Sequence, residues 1–152
     1  MTKSKKNAPK LDLASLDTKA ASDKGFDLEL KHPTTTEPLG MFVSVLGKHS
    51  EVYREIISEN QDASMRKAQV YRRKGTEPPA QTTAEIEAKA LNLLVACTTG
   101  WFTIEDGERR DTILFEGEEI PFNVANALKV YSRLLWVRKQ VDDAIDDLEN
   151  FI

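Results

Sequence analysis

The sequence predicts an α+β fold: one mostly helical domain, with an N-terminal β-hairpin packed on about four helices. Three observations carry this. Phe26-Asp27-Leu28-Glu29-Leu30-Lys31 alternates strictly between apolar and charged residues, the pattern of a half-buried strand. Four later segments repeat apolar residues at helical spacing, three of them behind recognisable caps. The 152 residues are enough for one domain with a useful core.

Residues 1–24 hold six Lys, three Asp and only sparse leucines, Leu11, Leu13 and Leu16. That composition predicts a disordered tail, with a short docking motif around the leucines as the alternative. The globular domain is expected over 25–152. Its hairpin, 25–47, consists of the alternating strand, a Pro- and Thr-rich turn from His32 to Pro38, and Met41 to Leu46 ending at Gly47. Such a hairpin is marginal alone and must pack on something.

A helix is expected over 50–74. Ser50 caps it, and Val52, Tyr53, Ile56, Ile57, Ala68 and Tyr71 form its face. Arg72-Arg73-Lys74-Gly75 closes it, and the polar run Asn60 to Ser64 is where it would bend or break. Thr76 to Gln81, with Pro78 and Pro79, is a linker. The next helix, 82–98, opens on the capping pair Thr82 and Glu85, sets Ile86, Ala90, Leu93, Leu94 and Cys97 on one face, and ends at Gly100. Residues 99–122 read as irregular, with one small extended pair around the Asp106-Gly107 turn.

C-terminal helices fill 123–152, the first capped by Asn123. The closing one, Trp136 to Ile152, is sharply amphipathic. At about 100° per residue, Val137, Val141, Ala144, Ile145, Leu148, Phe151 and Ile152 share one arc. Asp142, Asp143, Asp146, Asp147 and Glu149 fill the other side. The apolar stripe suits core or self-association. Trp136, at its edge, and the acidic face suit a partner.

The search for chemistry points away from catalysis. One cysteine and two separated histidines, His32 and His49, make no zinc spacing. The acidic run lacks the glycine-centred loop of a calcium site. Cys97 lies on an apolar helix face, which favours inert packing over a reactive thiolate. No enzyme activity, cofactor or metal is therefore expected. The lone cysteine fits a reducing compartment. No run of about 18 apolar residues predicts a membrane span. The last third, 99–152, carries six basic and twelve acidic residues and would repel nucleic acid. The basic residues Arg66, Lys67, Arg72, Arg73 and Lys74 are expected as a solvated helix end.

A motif order runs through 93–152: the leucine-rich helix ending at Cys97, Gly100-Trp101, Ile120-Pro121-Phe122, Asn126-Ala127, Trp136 to Val141, and a terminal Asn150-Phe151-Ile152. It resembles the tail assembly chaperones of long-tailed bacteriophages. The resemblance implies a non-enzymatic helper in the host cell cytoplasm that binds the tape measure protein and tail tube subunits, with a homo-oligomer as a further expectation. The candidate partner-binding residues are Trp101, Trp136, Gln140, Asp143 and Asp147. The competing readings are a structural virion protein of the tail or head–tail connector, and a small inhibitor of a host defence protein whose acidic helix mimics nucleic acid.

Overall fold

A computed structural model describes residues 11–152, and the expected α+β class holds. The described chain contains five α-helices, a four-stranded antiparallel sheet and a separate two-stranded hairpin.

The predicted hairpin is present as β1 (Phe26–Lys31) and β2 (Pro38–Val45), with Phe26 opposite Val45 and Leu28 opposite Val43. It does not meet the helices as an isolated pair. β2 also pairs with β3 (Thr98–Glu105), and β3 with β4 (Glu108–Arg110), giving the order β1-β2-β3-β4. Residues 99–122 are therefore ordered strand, not irregular chain. β5 (Thr112–Phe115) and β6 (Glu118–Pro121) form the second hairpin. The apolar run in β3 hides its alternation because both faces are covered. Trp101 points into the core, while Phe102 on the other face stacks on Phe42 at 4.9 Å beneath the Arg109 guanidinium. Asp106-Gly107 makes the predicted turn, both residues at positive φ.

The tail expectation needs correcting as well. Residues 1–10 lie outside the described residues, but 11–24 are folded. A 3-10 turn at Leu13–Leu16 leads into helix α1 (Thr18–Lys24), capped by the Asp17 carboxylate. Leu11 and Leu13 stay exposed. The segment escapes composition-based reading because it buries small residues: Ser22 is fully enclosed against Gly47, where a Cβ would clash with Ser22 and Phe151. Asp23 Oδ1 accepts the Glu51 N–H at 2.8 Å and so ties α1 to the next helix.

That helix, α2 (Glu51–Arg73), is capped by Ser50 and runs unbroken through Asn60 to Ser64. Helix α3 (Thr83–Ala96) starts behind the Thr82 cap as predicted. It stops at Cys97, short of Gly100, because the chain turns there into β3. α4 (Val124–Arg133) begins on the Asn123 cap. The closing helix, α5 (Leu135–Asp146), is shorter than its stripe suggested. Asp147 breaks it, Leu148–Phe151 forms a 3-10 turn, and Ile152 is exposed.

The core lies between the sheet and helices α3, α4 and α5. Val43, Val45, Val130, Tyr131, Val141 and Ile145 are essentially inaccessible. Tyr131 keeps its hydroxyl satisfied by donating to Thr98 Oγ1 at 2.8 Å, and that oxygen's proton goes to Leu94 O. A buried hydroxyl without such a partner would cost about 1–3 kcal/mol. The stripe of α5 faces this core through Val137, Val141, Ala144 and Ile145, which settles its role as packing.

Candidate functional site

A groove of about 720 Å³ runs along β1, which is an outer strand of the sheet. Phe26, Leu28 and Ala144 contribute apolar surface, and Asp27, Glu29, Asp143 and Asp147 supply carboxylates. Its volume is in the usual range of about 300–1,000 Å³ for ligand sites.

The strand alternation places the groups. β1 sends Phe26, Leu28 and Leu30 toward the core, and Asp27, Glu29 and Lys31 to the opposite face. Between Glu29 and Lys31 the register with β2 slips, where Gly40 sits at φ +73° and its N–H donates to Glu29 Oε2 at 3.3 Å. Asp27 Oδ1 accepts the Ser44 hydroxyl at 2.6 Å. The turn beyond is organised by His32, whose Nδ1 accepts the N–H groups of Thr34 and Thr35, each at 3.2 Å.

The far wall is α5, with its apolar stripe locked in the core. Gln140 reaches from it to the sheet: its Oε1 accepts the Lys31 N–H at 2.9 Å, and its Nε2 donates to Lys31 O at 2.8 Å. A side-chain amide thus makes the pair of bonds that a neighbouring strand would make. Asp143 accepts from Lys139 Nζ at 2.9 Å, an exposed pair of the kind worth under about 1 kcal/mol. Asp147 Oδ1 accepts the Glu149 N–H, and Asn150 Nδ2 donates to Ala144 O, so both fix the closing turn.

The acids of α5 crowd one another. Partial burial, followed by the nearby Asp146 and Asp143 carboxylates, raises the pKa of Asp142. Burial, reinforced by Asp146 and Asp142, raises the phenol of Tyr53 on α2. Cys97 is fully buried, its thiol pushed up to about 11 by desolvation, so it is protonated at neutral pH. Among the described residues, no group of three or more acidic, His or Cys side chains could hold a metal, and no helix is long and apolar enough to cross a membrane.

Of the five predicted partner-binding residues, the structure brings Gln140, Asp143 and Asp147 into this groove. It does not bring the tryptophans. Trp101 is buried, packed edge-on against Phe122 at 5.2 Å, with its indole N–H donated to Ile120 O. Trp136 is half-buried against the core and outside the groove. Trp101 is corrected to a packing role, because its whole indole is enclosed; Trp136 rests one side on the core and keeps the other accessible, away from this groove. Sequence reasoning missed the β1 half of the site. The alternation in Phe26–Lys31 revealed a strand, but an edge strand and an inner strand share that pattern.

Compared with protein-family models, curated proteins and solved structures, the chain matches none.

Proposed function

We propose that this protein is a phage tail assembly chaperone, a non-enzymatic binder of the tape measure protein and tail tube subunits that acts in the host cell cytoplasm. The observation carrying this reading is the groove between β1 and α5. It combines apolar floor, charge and backbone hydrogen-bonding capacity, the features that hold a polypeptide. Three of its residues, Gln140, Asp143 and Asp147, come from the C-terminal segment whose motif order resembles such chaperones. Its chemistry is that of recognition: hydrogen bonds, charge and apolar contact.

Co-expression with the tape measure protein is the test. The chaperone should co-purify with it and raise its soluble fraction, and mass spectrometry of purified particles should find no stoichiometric copy. Failure to associate overturns the reading. Stoichiometric presence in particles replaces it with that of a virion component.

A further inference from the structure

We propose that the free edge of β1 is completed by an added strand: an extended peptide whose residues alternate between basic and small apolar side chains. The inference rests on reading this groove as a protein-docking site, and it names the chemistry of the docked segment.

The backbone geometry comes first. His32 N–H donates to Glu37 O across the β1–β2 turn, so the even-numbered residues of this strand direct their backbone groups toward β2. Lys31 directs its N–H and C=O the opposite way, to Gln140. By the two-residue period, Asp27 and Glu29 point outward too. Among the described residues nothing bonds to those outward groups. Gln140 therefore occupies one rung of a ladder and leaves two rungs open beside it.

The side-chain chemistry follows from the same alternation. A strand added here sends every second side chain over Asp27 and Glu29, and the others toward Phe26, Leu28 and Ala144, between Asp143 and Asp147. Asp27 and Glu29 select cations on the first set, and the limited apolar floor between Asp143 and Asp147 selects small side chains on the second. The acids also argue against a second copy using its own β1, because antiparallel self-pairing would bring like charges together. The opposite edge, β4, has three residues and carries Arg109 and Arg110 in ion pairs with Asp111, Glu105 and Glu119, which blunts it.

The test uses the full chain and three synthetic peptides: Lys-Val repeated four times, Glu-Val repeated four times, and the Lys-Val peptide N-methylated at alternate residues on its ladder edge. Binding is followed by fluorescence anisotropy, and hydrogen exchange is measured at the Asp27 and Glu29 amides. The Lys-Val peptide should bind at least tenfold more tightly than either other peptide and slow exchange at both amides. Equal binding of the N-methylated peptide reduces the site to charge attraction and overturns strand addition. Preference for the Glu-Val peptide, or no binding by Lys-Val, overturns it as well. The double variant E29K/D143K, checked for native circular dichroism, should reverse the charge preference; unchanged preference sinks the placement. Peptide binding without tape measure association would leave this inference standing while the chaperone reading fell. The converse result would do the reverse.

Discussion

The body of the molecule and its longest helix are built on different terms. In the body, the 10-residue α4 encloses Ala127, Val130 and Tyr131 completely, and α5 encloses Val137, Val141, Ala144 and Ile145. The 23-residue α2 encloses no residue at all. Its first turns lie on the core through Val52 and Tyr53, whereas its distal half forms an arm where Met65 is 63% and Val70 46% exposed. The difference lies in which side chains face inward. Val52, Tyr53, Ile56 and Ile57 are half-buried at the near end, whereas in the distal half only Ala68 and Tyr71 are. Local effects keep the arm helical: the Ser50 cap, a glutamate in the first turn and Arg72-Arg73 in the last. Helix length therefore says little about contribution to the core; tertiary burial decides that.

The comparison breaks first, and most strongly, at Ile145. Replacing it with Ala in urea denaturation should lower stability by about 3 kcal/mol, since the cavity left behind cannot collapse. Met65→Ala on the arm should change it by under about 0.5 kcal/mol. Similar losses at both sites would mean that the arm is packed in solution. Tyr131→Phe comes next, at about 1 kcal/mol, from the loss of a buried hydrogen bond whose acceptor keeps its other contact with Leu94.

Hydrogen exchange sharpens the contrast without mutation. Amides in 60–73 should exchange at least tenfold faster than those of β2 and β3, because local opening there exposes little new apolar surface. A thiol reagent at pH 8 reports the body in the same way. Cys97, buried with its thiol near 11, should stay unmodified until denaturant unfolds the chain. Rapid labelling of folded protein would contradict the packing around α3.

The smallest effect belongs to Asp142. Its folded-state pKa is raised, so the folded protein holds that proton more tightly than the unfolded chain does. The stabilisation this provides is present at low pH and is lost as pH rises through the raised pKa. Asp142→Asn should therefore be slightly more stable than wild type at pH 7, with the gap closing toward pH 3, as followed by Tm. A gap that widens in acid would place a cation beside Asp142 instead.

Much of this architecture was legible because its signals are local. The Ser50, Thr82 and Asn123 caps, the alternation of Phe26–Lys31 and the stripe from Val137 to Ile145 each depend on neighbours a few residues away. They correctly identified four helices, the first hairpin and the α+β class. Local signals misled where the partner is distant in sequence. β3 pairs with β2 across more than 50 residues, so nothing near Trp101 announced a central strand. α1 is held by Ser22 against Gly47 and by Asp23 on Glu51, contacts between small or polar groups that no hydrophobic pattern records.

The site divides in the same way. The sequence by itself determined that α5 carries acids on one face and apolar residues on the other, because helical periodicity sorts them, and Gln140, Asp143 and Asp147 were named from it. Only the tertiary structure decided which candidates are reachable: packing enclosed Trp101 and left Trp136 half-buried, apart from the groove. It also decided that β1 is an edge. Edge status is a property of the whole sheet, set by which strand has no further neighbour, and it gives this groove its open backbone rungs.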